Sequence, residues 1–388
     1  VGEKWNLCDS IIDYGLALNQ LEMLGGDLMH SKGFKGNGII IAVLDAGFYK
    51  VDELDVFSGL ENQILGTYDF VDGNSNVYDD HTHGMMVLST MGGKGDMTGT
   101  APEANYILLR SEDVFSENLI EEYMWVCAAE YADSAGADII NSSLGYTVFD
   151  DTLQNHTYED MDGETAPISI GAGIAYSKGI IVINSAGNSG NSSWHFIGAP
   201  ADNFDVLTVG AVDENEEFAS FSSYGPNADG AVKPNIVAQG KNTVIISSSD
   251  IVRTGNGTSF SSPISAGMVA CLWGAHPNEN PTVIKDVIYK SADRYLNPDD
   301  QFGYGLPDYF SAYQKLAYDL TIPIESSLDS DVTYSVFTID GKLIDKGILY
   351  YNNSEDAVKI IKPKTPGAYI INLITDVYNI SKKFIVFE

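Results

Sequence analysis

Residues 255–263, Gly-Asn-Gly-Thr-Ser-Phe-Ser-Ser-Pro, lead from a glycine-rich turn straight into an apolar helical pattern carried by Ile264, Met268, Cys271 and Leu272. Pro263 suits the first turn of that helix, where a residue without an N–H is tolerated. Ser259 then stands at a helix N-terminus, where free backbone N–H groups and the positive end of the dipole stabilise an oxyanion. Taken alone, Gly-Thr-Ser ahead of a helix reads as an ordinary N-cap.

Two upstream stretches change that balance. A hydroxyl becomes a nucleophile when a neighbouring base takes its proton and a third group orients the base. Residues 38–48, GIIIAVLDAGF, read as a buried strand delivering Asp45 at its C-terminal edge, where open α/β sheets bind ligands. Residues 82–90, THGMMVLST, set His83 at the start of another apolar helix. The resulting order along the chain is Asp, His, Ser.

In order and separation these blocks resemble those of the subtilisin-like serine proteases, the subtilases. A fourth block, IIVINSAGNSG at 180–190, is similar to the family's oxyanion-hole segment, which implies Asn188 as the side-chain donor. The matches run from about Gly38 to Tyr304. The resemblance implies an α/β fold, a three-layer domain with a mainly parallel sheet. It also implies an endopeptidase acting on proteins or peptides, with Asp45, His83 and Ser259 as catalytic residues. Ser143, Leu144 and Gly145 match the segment that pairs with substrate and walls the S1 pocket, and Gly198 matches the glycine at its floor. No cofactor is required. Family members often hold calcium in the loop corresponding to residues 93–101, but here that loop offers only Asp96, so a structural calcium is left open rather than expected. Ala46 follows Asp45 where the family commonly has Ser or Thr, and Met86 and Ser89 stand where it usually has His and Gly. These changes imply a differently packed histidine helix with the same chemistry. Two further readings stay open: esterase or peptidyl-transfer chemistry on the same triad, and an inactive subtilase-fold protein that binds at a surface.

The formal charge of −33 excludes a nucleic-acid partner, since phosphate binding needs the opposite sign. Residues 321–388 hold seven lysines against nine acids, so nearly all of the excess lies before them. An acidic surface resists aggregation and can also draw cationic peptides toward a cleft. No apolar run approaches the roughly 18 residues of a membrane span. Three cysteines make no disulfide framework, and Cys127 and Cys271 read as buried thiols in apolar helices. Residues 1–37 read as a lead-in to the catalytic domain, with neither a signal peptide nor a segment long enough to be the inhibitory propeptide that subtilases carry.

Residues 1–319 are read as the catalytic domain and 320–388 as a small β-sandwich. Its short strand-like runs, Ala357 to Ile361 among them, are punctuated by Asp340-Gly341, Asn352-Asn353 and Pro366-Gly367. VFTIDG at 336–341 and PGAYII at 366–371 resemble the C-terminal sorting domains of the Bacteroidetes type IX secretion route. That resemblance implies a secreted or cell-surface protein of a Gram-negative bacterium.

Overall fold

The computed structural model describes residues 12–318, 332–338, 341–349, 367–374 and 379–386. Two short helices, α1 (Leu18–Glu22) and α2 (Gly26–Ser31), open the described chain, and Gly25 joins them in the left-handed conformation, φ 70°. Strands and helices then follow in the order β1 (Ile40–Asp45), β2 (Ile64–Asp69), α3 (His83–Gly92), β3 (Asn105–Arg110), α4 (Ile120–Ser134), β4 (Ile139–Ser142), α5 (Pro167–Ser177), β5 (Ile181–Ser185), β6 (Leu207–Val212) and β7 (Ile236–Gln239). A hairpin, β8 (Thr243–Ile246) and β9 (Val252–Gly255), precedes α6 (Thr258–Ala275), α7 (Pro281–Ser291) and α8 (Tyr309–Tyr318).

The seven strands β1–β7 form one parallel sheet in the order β2-β3-β1-β4-β5-β6-β7. Its central strands are apolar on both faces, which a parallel sheet covered on both sides requires. Ala42, Leu44, Ile107, Leu109, Ile140 and Val182 pack with Trp125 of α4 and Ala172 of α5. On the other face α6 crosses β4 to β7, and α3 packs against β1, α6 and β8. The strand order reverses at β1, with β3 on one side and β4 on the other. That switch point opens a crevice beyond the strands' carboxyl ends, and every candidate site residue lies beside it.

Two expectations need correction. Pro263 is the sixth residue of α6 and lies inside the helix, because the helix already begins at Thr258. Cys127 is exposed while Cys271 is buried: α4 turns Trp125, Ala128, Ala129 and Ala132 inward, leaving position 127 on the solvent side. The acidic stretch after Asp150 is largely exposed or half-buried, anchored where His156 bonds the buried Glu122 and where Met161 is fully buried.

The chain divides into two compact units, Val1–Ala312 and Tyr313–Glu388. In the second, β10 (Val332–Thr338), β11 (Leu343–Leu349), β12 (Gly367–Ile374) and β13 (Asn379–Val386) form an antiparallel sheet in the order β11-β10-β12-β13. The strand expected at 357–361 lies outside the described residues.

Candidate active site

Asp45 is the last residue of β1, His83 the first of α3, Ser259 the second of α6, and Asn188 sits three residues beyond β5. These ends meet at the mouth of the crevice. His83 Nδ1 bonds Asp45 Oδ1 at 2.7 Å, and the Ala46 amide donates to the same oxygen at 2.8 Å. Asp45 is fully buried, and its Oδ2 has no hydrogen-bond partner among the described residues. Ala46 carries no hydroxyl with which to serve it.

Burial works against a charged His83. The Asp45 carboxylate and its hydrogen bond outweigh burial and hold the imidazole above its ordinary value. With Nδ1–H engaged by the carboxylate, Nε2 is the nitrogen left to act as a base.

Ser259 lies in the first turn of α6, so its amide is one of the helix's orphan donors. Its hydroxyl contacts the Ser143 carbonyl at 3.5 Å and makes no hydrogen bond to His83 in this structure. Such catalytic contacts are commonly long before substrate arrives. Gly257, φ 153°, turns β9 into the helix with a conformation suited to glycine.

Asn188 Oδ1 accepts from the Thr258 amide at 2.9 Å and the Thr258 hydroxyl at 3.2 Å. That anchoring fixes the amide's orientation and leaves Nδ2 as a free donor in the crevice. Thr258 was not singled out in the sequence, although its place directly before Ser259 is a readable signal.

A cleft of about 300 Å³ joins these groups. Its lining includes His83, Asn188, Ser259, Ser143, Leu144, Gly145 and Gly198, so the structure brings all the predicted residues except buried Asp45 to one surface. Leu144 is held by Asn184 Nδ2, which donates to its carbonyl at 2.9 Å. Tyr146 pairs with Ala199 backbone to backbone, is 1% exposed and lines the cleft. Of the two methionines after His83, Met85 is fully buried, and only Met86 reaches the cleft's far side, where Arg253 Nη2 touches its sulfur at 3.0 Å.

Missed in the sequence was the role of Arg110. At the end of β3, beside Asp45 in register, its Nη1 bonds Asp69, Asp72 and Asp80 at 2.8, 3.1 and 3.2 Å. Those three carboxylates form the one group among the described residues with oxygens close enough to hold a cation. A guanidinium already supplies the positive charge there. Arg110 also ties the end of β2 to Asp80, three residues before His83.

Fold and cleft together are those of a serine peptidase. The chain belongs to the subtilase family (peptidase S8), whose model matches residues 36–305. It is 32% identical over 297 residues to serine protease AprX of Bacillus subtilis, covering 68% of this chain and 63% of that protein, just under two thirds of its length. It is 29% identical over 296 residues to Subtilisin DY of Bacillus licheniformis, covering 76% of this chain and 95% of that protein. Among solved structures, MycP1 from Mycobacterium smegmatis shares the fold with a TM-score of 0.59 at 22% identity, covering 79% of this chain and 86% of that one. Among the described residues no helix is long and apolar enough to cross a membrane.

Proposed function

We propose that this chain is a serine endopeptidase in which Ser259 is the nucleophile, His83 the general base and acid, and Asp45 the group that orients the imidazole. What supports the reading is the 2.7 Å His83–Asp45 bond at the mouth of the cleft that also holds Ser259 and Asn188. Ser259 Oγ turns from Ser143 toward His83 and attacks the peptide carbonyl carbon, its proton passing to Nε2. The oxyanion accepts hydrogen bonds from Asn188 Nδ2 and the Ser259 amide. As the tetrahedral adduct collapses, His83 returns the proton to the departing amine, leaving an acyl-enzyme. Water then repeats the sequence and releases the acid. The Ser143–Gly145 segment would pair with substrate as an added strand, and Gly198 would floor the pocket for the residue before the scissile bond. No cofactor enters this chemistry.

Reaction with a serine-directed fluorophosphonate tests the reading. Labelling is expected at Ser259 alone and lost in Ser259→Ala. A folded protein that takes no label would point instead to an inactive, binding role. Asn188→Ala is expected to lower kcat by about 10²–10³, the scale established on subtilisin itself for loss of one such donor.

The antiparallel sheet after residue 332 is read as part of a type IX sorting domain, with export to the surface of a Gram-negative cell. If removal of residues 320–388 leaves export by the native host unchanged, that assignment fails.

A further inference from the structure

Sheet order places a second set of side chains against the cleft. β3 and β4 flank β1, so the chain leaving β3 faces the Ser143–Gly145 segment across the end of the strand that carries Asp45. A substrate strand paired with Ser143–Gly145 would run between these two walls. On the β3 side the wall is Glu112, Val114 and Glu117. Among the described residues neither glutamate's carboxylate has a hydrogen bond or ion pair.

Neighbouring acids are different. Glu121 accepts from the amides of Asp113 and Asn118, Asp150 from the Glu117 amide, and Glu122 from Ile168 and His156. Those carboxylates hold the fold together. Glu112 and Glu117 hold nothing, and both face the cleft.

The hydroxyl of Tyr146 is a third group at this place: it is buried and, among the described residues, has no hydrogen bond, and Glu112 heads the four acids whose charge it feels, with Glu121, Glu117 and Glu122 after it. A donor-rich guest entering between the walls would give both carboxylates a partner. Leaving them empty carries a desolvation penalty that the guest removes.

We propose that Glu112, backed by Glu117, selects peptides with lysine or arginine at P2, the residue preceding the one whose carbonyl is attacked. Successive side chains of an extended peptide point to opposite faces. If P1 enters the pocket floored by Gly198, P2 points back toward His83, and Glu112 is the acid whose charge His83 feels after Asp45. This inference rests on the endopeptidase reading.

Proton linkage gives it a second signature. Burial first, then the charge of Asp45, pushes the Glu112 carboxyl up to about 8, with Glu117 and Glu121 adding to the rise and His83 opposing it. Burial and the charges of Glu121 and Asp150 push Glu117 up to about 7. A bound cation therefore favours ionisation of Glu112, and preference for a cation should grow as pH rises through about 8.

The test compares internally quenched peptides of one scaffold carrying lysine, norleucine or glutamate at P2. For each enzyme form it uses the ratio of kcat/KM values, so that any change in the triad itself cancels. The wild-type lysine to norleucine ratio is expected to be about tenfold or more, the scale of one desolvated charge pair. It should collapse toward one in Glu112→Gln and invert in favour of glutamate in Glu112→Lys. A wild-type ratio near one, or a ratio unchanged in Glu112→Gln, overturns the proposal. Fluorophosphonate labelling of each variant separates the two readings: labelled protein that cleaves without P2 preference sinks the cation wall alone, and absence of both labelling and cleavage sinks the endopeptidase.

Discussion

Pro263 has no N–H to offer the Ser259 carbonyl one helical turn before it, and the Ser143 hydroxyl donates there instead, at 3.0 Å. The Ser259 carbonyl is thus held from the Ser143–Gly145 segment and not by its own helix. Ser143→Ala should orphan that buried carbonyl and cost about 1–3 kcal/mol of stability. Adding Pro263→Ala restores an intrahelical donor, so the two substitutions should be non-additive in urea unfolding; strict additivity would refute the compensation. At His83 the sign of the pH effect follows from the direction of its shift. The imidazole's pKa is raised by Asp45, so this pair's stabilisation is fully present below the unfolded value, roughly pH 6.5, and is lost as pH rises through the folded one. Catalysis needs the neutral ring, so kcat/KM should climb over that same interval. Its acid limb should lie above that of an unperturbed histidine, and a pH–rate profile with a limb at or below pH 6.5 would contradict the assignment.

Among the elements, α3 sits close against β1. A Cβ on Gly84 would lie 2.5 Å from the Gly47 carbonyl oxygen and 2.9 Å from Asp45 Cβ, so the helix meets β1 at a point only glycine permits. Gly84→Ala should push α3 off β1 and lengthen the His83–Asp45 bond. The expected readout is a fall in kcat of up to about 10²-fold, the scale of a 1 Å misplacement, with fluorophosphonate labelling slowed in parallel. Wild-type labelling rates in a folded variant would show that the helix can yield. The unusual residues of this helix have partners of their own. Ser89, fully buried, bonds back to Met86 and receives the Ile246 amide of β8 at 3.2 Å, so the hairpin ahead of α6 is tied to the histidine helix. The difference expected from Met86 and Ser89 is thus a hydrogen bond and a sulfur–guanidinium contact between α3 and the β8–β9 hairpin.

For the molecule as a whole, a charge of −33 sets a long-range field that attracts cations before any contact forms. Cleavage of a lysine-containing peptide should slow as salt is raised from about 0.01 M to 1 M, where the Debye length shrinks from about 30 Å to 3 Å, while a glutamate-containing peptide should speed up. Equal responses would confine electrostatic selection to short range or remove it. The acids of the cleft also bear on stability. Glu112 and Glu117 lie above their ordinary values, so their contribution is present below the unfolded value, about 4.3, and is lost as pH rises through about 7 and 8. In Glu112→Gln the thermal midpoint should fall less steeply across that range.

The amino-acid sequence by itself pointed to Asp45, His83 and Ser259 as candidates, and its resemblance to the subtilases implied the mainly parallel α/β class and the part of Asn188. Each of those signals is local: an apolar strand ending in a carboxylate, a glycine turn opening a helix. The edge strand β2 and the β8–β9 hairpin were not read from it, because β2 is a short, half-polar run at an edge and β8 and β9 are only four residues each, too short to show a period. Tertiary structure alone decided the rest. That Pro263 lies inside α6 and is answered by Ser143, that Arg110 gathers three aspartates, and that Tyr146 is buried beside two unpaired glutamates are facts about residues distant in sequence. Which carboxylate finds a backbone amide and which is left facing the cleft is settled by the order of strands in the sheet, since that order determines which loops meet.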